Sequence, residues 1–224
     1  MLANGFAPSA CAQTQQSIFV ALSGAAAPGR NQLVKRDQTL FWVGDPVDGY
    51  YRVISGAVRL CKMMPDGRRQ ISDFFGPGDL ILIELSAEHA FTAEAVTDSV
   101  ICHYPRPTID ALLADPKFSR QLLTIACDRL VSAHHRMAVL GRKTAEERLA
   151  TFLVTSAKRL PASRQVMSLP MSRADIADYL GLTVETVSRV LSKFRRDGLI
   201  DLPDSHSVRI MDRDQLERLS DGDA

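Results

Sequence analysis

The chain has 224 residues, 46% of them hydrophobic and 24% charged, with a formal net charge of +1. That length accommodates one or two domains, and the mix of residues is that of a globular protein. A nearly neutral total excludes nucleic-acid binding through overall charge, so any such affinity must come from a local basic surface. No apolar run approaches the length of a membrane span.

Ile18–Leu22 and the small residues after it have the flavour of a leader, but no Lys or Arg precedes them and the run is short. The expected location is the cytoplasm. The cysteines Cys11, Cys61, Cys102 and Cys127 are scattered, with no Cys-x-x-Cys pair, which argues against a zinc site and against a disulfide scaffold. Walker-type loops, G-x-S-x-G elbows and H-E-x-x-H helices are absent, so an enzymatic reading has little support.

Taken in order, residues 1–29 are rich in Ala, Gln and Ser without a period and read as an N-terminal arm, partly mobile. Short β segments follow at Thr39–Trp42, Tyr50–Ser55, Ala57–Met63, Gln70–Phe75 and Ser99–Tyr104. Turn signals separate them, and Gly56, Gly67 and Gly78 recur at equal intervals. This spacing predicts an antiparallel β domain over residues 30–115. A short helix is expected at Thr108–Asp115, closed by Pro116, and a long one from about Lys117 to Arg142. Leu123, Ala126, Leu130, Ala133, Met137 and Leu140 then fall in alternating steps of three and four, an a/d seam. Such a stripe can also pack a helix on its own domain. Its place between two domains, with few other surfaces to cover it, favours a parallel homodimer joined over residues 116–143.

Residues 144–224 form the last segment. Ala145–Arg159 is amphipathic, with Leu149, Phe152, Leu153 and Leu160 apolar, and Val166–Leu169 reads as a strand. Ser172 and Asp175 resemble a capping box, Ile176, Ala177 and Leu180 form a stripe, and Gly181 supplies a left-handed turn. Thr183 is the next N-cap, with Glu185 in the first turn. Val187, Val190, Leu191 and Phe194 face inward at helical spacing. Glu185, Ser188, Arg189, Ser192, Lys193 and Arg196 face outward. A helical hairpin with a solvated face would show the same period. The hairpin that follows, with Leu199–Leu202, a Pro203–Ser205 turn and Ser207–Ile210, makes it a winged helix-turn-helix. Asp212 and Gln215 open a final helix to about Leu219.

A glycine-punctuated β domain, a dimer helix and a winged helix-turn-helix, in that order, resemble the CRP/FNR family of bacterial transcription regulators. The resemblance runs from about residue 30 to the end. It is carried by LGRKTAEERLATFL (Leu140–Leu153), MSRADIADYLGLTVETVSRVLSKF (Met171–Phe194), PDGRRQI and GPGDL. It implies an α+β fold: an N-terminal antiparallel β-roll like that of cyclic-nucleotide-binding domains, then the dimerisation helix and the C-terminal winged helix-turn-helix. The E-x-x-S-R pattern of Glu185, Ser188 and Arg189 is similar to the FNR and FixK branch. The cyclic-AMP branch has an arginine directly before the glutamate, where this chain has Val184. The resemblance therefore implies a TTGA-type inverted repeat in double-stranded DNA; activation, through a contact with RNA polymerase, is the expected mode, with repression left open by the sequence.

The residue chemistry fits these roles. Arg189 can donate two hydrogen bonds to guanine, Glu185 can accept from a cytosine or adenine amino group, and Ser188 can approach a thymine. Arg173, Thr183, Thr186, Lys193 and Arg196 are placed for phosphates. Asp66 and Arg68, in a charged turn, are candidates for the polymerase contact, although an ordinary hairpin turn would read alike.

Relatives that hold cyclic AMP carry a glycine and a glutamate after the turn matching Gly78-Asp79-Leu80-Ile81, and an arginine later. Here Leu82 and Ile83 follow the turn, and Glu88–Phe91 supplies no arginine for a phosphate. An iron–sulfur cluster needs four thiolates. Cys102 falls at the family's internal cluster position, but the N-terminal part offers Cys11 alone. No cofactor is therefore expected. The resemblance to FixK-type regulators implies control by abundance within an oxygen-limitation cascade. The alternative is an effector-gated sensor, using haem on His89, His103, His134 or His135, or redox chemistry at Cys61, Cys102 or Cys127.

Overall fold

The computed structural model describes residues 29–81, 84, 86–157 and 166–222. The arm over 1–28, Cys11, Leu82, Ile83 and Leu160 lie outside the described residues. The chain divides into two compact units, residues 1–132 and 133–224, with the division inside one long helix. Among the described residues no helix is long and apolar enough to cross a membrane.

In the first unit the strands are β1 (Arg30–Val34), β2 (Thr39–Phe41), β3 (Gly49–Ser55), β4 (Val58–Met63), β5 (Arg69–Phe75), β6 (Leu80–Ile81), β7 (Thr92–Ala95) and β8 (Ser99–Pro105). They form two antiparallel sheets, ordered β1-β8-β3-β6 and β2-β7-β4-β5. This is the antiparallel β-roll. Alternate residues of β3 and β8 point to opposite faces, as a pleated strand requires. Tyr51, Val53 and Ile101 enter the core between the sheets with Phe41, Val58, Leu60 and Phe75. Tyr50, Cys102 and Tyr104 face the other way and pack with Ile109, Phe118, Leu122 and Ile125. Both faces of the central strands are therefore dry.

Three strands escape the sequence reading. β1 is almost wholly exposed and gives no alternation; its pairing with β8 from Arg30↔His103 to Val34↔Ser99 makes it a strand. β6 has two residues. β7 reads Thr-Ala-Glu-Ala, weak in β propensity, and is set by pairing with β2 and β4 on either side. Gly56 closes the β3–β4 turn at φ +89°, where a Cβ would lie 2.1 Å from Ser99 Oγ, so both backbone and space demand glycine. Across the second sheet Arg59, with 9% of its side chain exposed, donates Nε to Glu94 Oε2 at 2.8 Å and Nη2 to Asp37 Oδ1 at 3.1 Å.

Helix α1 (Arg106–Leu113) begins earlier than the sequence suggests, because Pro107 sits in its first turn, where no N–H donor is needed. Pro116 likewise opens α2 (Pro116–Arg142). The early turns of α2 bury Phe118, Leu122 and Ile125. Arg129 then donates Nη2 to Leu80 O at 2.9 Å and lies 4.7 Å over the Phe75 ring.

The second unit holds the end of α2, α3 (Ala145–Ala157), β9 (Val166–Ser168), α4 (Arg173–Leu180), α5 (Val184–Arg196), β10 (Ile200–Asp204), β11 (Ser207–Ile210) and α6 (Arg213–Asp221). Thr144 and Glu147 cap α3 reciprocally: Thr144 N donates to Glu147 Oε2 at 2.8 Å, and Glu147 N to Thr144 Oγ1 at 3.3 Å. α3 packs against α5 and α6. Phe75 is 1% exposed in the roll's core. Phe75→Ala is expected to cost about 3–5 kcal/mol, read as a lower urea midpoint at unchanged m-value.

Candidate nucleic-acid interface

The helix-turn-helix is built by local signals. Ser172 Oγ accepts from Asp175 N at 3.1 Å while Asp175 Oδ2 accepts from Ser172 N at 3.0 Å, which satisfies two orphan donors at the start of α4. Gly181 ends that helix at φ +62°. Thr183 Oγ1 then accepts from Thr186 N at 3.2 Å and opens α5. Val187, Val190, Leu191 and Phe194 are all buried, so the opposite face of α5 must point outward.

The wing differs from expectation in one detail. Its turn is Ser205-His206, and Pro203 lies within β10, where the register with β11 shifts between Asp201 and Asp204. A proline without an N–H suits such a bulge. Asp204 fixes the turn by accepting from His206 N at 2.7 Å and Ser207 Oγ at 2.8 Å. These bonds, the backbone one foremost, hold its carboxyl below the usual range. β11 also pairs with β9, giving a three-stranded sheet.

On the outward face Glu185 and Arg189 are exposed one helical turn apart, and Ser188 is half-buried between them. Arg173 Nη1 approaches Ser188 Oγ at 3.4 Å. Arg189, Lys193 and Arg196 line an open cleft of about 620 Å³ together with Thr144, Glu146 and Ser192. Lys193 is not a bare cation there: its Nζ meets both Glu146 oxygens, at 2.6 and 2.7 Å. Thr183 spends its hydroxyl on the cap and on Thr186 Oγ1 at 3.1 Å, while Arg196 is largely exposed.

The other expected residues separate into groups. On α2, Leu123, Leu130 and Met137 are exposed, at 63%, 57% and 63%, and Ala126 is exposed beside them. Ala133 and Leu140 are half-buried, so the two flanks of the seam differ. Cys127 and Val131 are exposed on the same helix and were not in the expected stripe. Asp66 and Arg68 form a tight exposed pair, with Nε to Oδ2 at 2.7 Å, and this bond holds the Asp66 carboxyl below its usual range. Cys61 and Cys102 are buried, and burial pushes the Cys61 thiol up to about 11. Burial keeps both thiols from solvent, and a reactive thiol must be accessible.

Three residues that hold the elements of this unit together carried no sequence signal. Glu146 lies far along the chain from Lys193, and only the fold joins them. Lys143 Nζ donates to Thr151 Oγ1 at 3.0 Å and to Ser220 O at the end of α6. Arg148 reaches three backbone carbonyls, at Lys143, Leu140 and Leu180. Each is a long-range or backbone contact, invisible to residue spacing.

A capped two-helix unit with a basic outward face and a wing defines a DNA-binding transcription regulator. Comparison with known proteins agrees. Residues 147–219 match the Crp-like helix-turn-helix domain, and residues 32–115 match the cyclic nucleotide-binding domain. The chain is 40% identical over 207 residues to the nitrogen fixation regulation protein FixK of Rhizobium meliloti, covering 91% of this chain and 95% of that protein. It is 37% identical over 199 residues to the transcriptional activator protein FnrA of Stutzerimonas stutzeri, covering 86% and 81%. Among solved structures, FixK2 from Bradyrhizobium japonicum superposes with a TM-score of 0.82 at 37% identity, covering 86% of this chain and 98% of that one. The chain belongs to the CRP/FNR family of transcription regulators.

Two outcomes follow from the site. Glu146→Gln is expected to remove the ion-pair partner of Lys193 and tighten DNA binding by about 1 kcal/mol or less, measured by anisotropy of a labelled duplex. N-ethylmaleimide on the native protein is expected to label Cys127 rapidly and Cys61 only after unfolding, read by peptide mapping.

Proposed function

We propose that the protein is a homodimeric activator that reads a TTGA-type inverted repeat through Glu185, Ser188 and Arg189. The observation that carries this reading is the exposure of Glu185 and Arg189 one turn apart on a helix whose opposite face is fully buried. Arg189 supplies the bidentate contact to guanine, Glu185 accepts from an exocyclic amino group, and Ser188 is close to the helix surface. Arg173, Thr183, Thr186 and Arg196, with Lys193 in exchange with Glu146, contact phosphates and set register. The relatives FixK and FnrA support regulation of this type, and FnrA, a transcriptional activator protein, supports activation.

The seam of α2 is the dimer contact. Leu123, Leu130 and Met137 recur every seventh residue and are exposed, which is costly for a lone chain and favourable against a second copy. Ala126 and Ala133 let the helices approach, while Leu140, at the end of the stripe, lies beside the Gly181 turn. A two-fold dimer places its recognition helices about one DNA turn apart, on a palindrome. The Asp66–Arg68 turn is the proposed contact with RNA polymerase. The protein acts in the cytoplasm.

Binding is proposed to need neither cyclic AMP nor an iron–sulfur cluster, within an oxygen-limitation cascade. The geometry of Glu84 supports the first part: one oxygen accepts from Ala90 N at 2.8 Å and the other meets His89 Nδ1 at 2.5 Å, so both are already engaged within the chain. The packing of Cys102 among Tyr50, Tyr104 and Phe118 supports the second.

Exposed Cys127 favours a second reading, in which thiol modification modulates binding. It predicts that alkylated protein changes its DNA affinity, and an unaltered affinity rejects it. For the main reading the decisive experiment is selection of preferred duplexes from random DNA by purified protein without additives. Arg189→Ala is expected to lose about 1–3 kcal/mol and relax preference at one base pair per half-site. Retained TTGA preference in that variant would refute the assignment.

A further inference from the structure

Two helix ends meet at one side chain. Arg148, on α3, donates Nη2 to Leu140 O at 2.8 Å, Nε to Lys143 O at 2.9 Å and Nη1 to Leu180 O at 3.1 Å. Leu140 lies in the last turn of α2 and Lys143 directly follows that helix, while Leu180 is the last residue of α4. Terminal carbonyls of a helix have no partner within it and form the negative end of its dipole. A guanidinium is always charged and presents its donors in a rigid planar fork. Three bonds from one fork therefore fix direction as well as neutralise charge.

Packing repeats the arrangement. A Cβ built on Gly181 would lie 3.7 Å from Arg148 Nη1 and 3.9 Å from Leu140 Cδ2, so the turn between α4 and α5 rests on the end of α2. The recognition helix begins three residues after Gly181, at Val184. Any slack at Arg148 reaches it with little chain in between.

We propose that Arg148 is a positioning residue that holds the recognition helix in a fixed relation to the end of α2 and thereby sets the half-site spacing the regulator accepts. It contacts no base. The inference rests on the dimeric reading of α2 given above. In a two-fold dimer the same elbow occurs twice, so looseness at Arg148 enters the distance between the two recognition helices twice over. Loss of the fork therefore widens the range of spacings while leaving the reading of each half-site intact.

The test uses full-length protein and inverted repeats whose spacer is shortened or lengthened by one base pair, with half-site base substitutions alongside. Wild type is expected to lose about tenfold or more in affinity on either change of spacer. Arg148→Gln is expected to lose about threefold or less, with half-site base preferences kept within about twofold. Arg148→Lys keeps the charge without the fork and is expected to fall between the two. A folded Arg148→Gln protein that retains the wild-type spacing penalty, or weakens on every spacer by one common factor, overturns the proposal. If circular dichroism shows that variant unfolded, Arg148→Lys decides by the same criterion. Sedimentation of wild type separates the two readings: a monomer on DNA overturns the dimer and this inference with it, whereas a dimer with unaltered spacing preference in the variants overturns this inference alone.

Discussion

The reading face of this protein is fixed by what lies behind it. Val187, Val190, Leu191 and Phe194 are buried along one side of α5. Full burial of each such side chain is worth about 1.5–3 kcal/mol relative to water. The polar contacts on the other side are far weaker: the Arg173–Ser188 approach is long, at 3.4 Å. Rotating the helix by one residue would bring Phe194 toward solvent, a loss no surface hydrogen bond could offset. Apolar packing thus decides which residues of α5 face outward, and those side chains carry little of its stability.

Electrostatics works on a smaller scale, and locally. The whole chain carries a formal charge of only +1, yet Arg189, Arg195 and Arg196 cluster on or near one face with Lys193. The Lys193–Glu146 pair is partly exposed, with side chains 42% and 36% accessible. Pairs of that kind contribute about 0–1 kcal/mol. That is little enough for a phosphate to compete for the ammonium. The same contact ties α3 to α5 in the free protein, so the cation serves packing before it serves binding.

Legibility in the sequence followed the range of the forces involved. The caps at Ser172 and Thr183, the glycine turn at Gly181 and the buried stripe of α5 are all local, and each could be read from residue types and spacing. The central strands of the roll were readable because both faces are apolar. β1 and β7 were not, since their pairing partners rather than their own residues make them strands. The seam of α2 was recognised by its period, but the period could not tell that Leu140 faces the helix-turn-helix while Cys127 faces solvent. Nothing in the residues near Arg148 announces three carbonyl partners, because backbone acceptors carry no sequence identity.

The displaced turn of the wing has a consequence for how copies of the protein coexist. In the sheet order β10-β11-β9, strand β10 lies at an edge, where free backbone groups can template pairing with a strand from another molecule. Pro203 removes one donor from that strand, and the irregular register around it bends the edge away from a flat template. Pro203 and the bulge therefore make the β10 edge of the wing a poor template for a strand of a second copy.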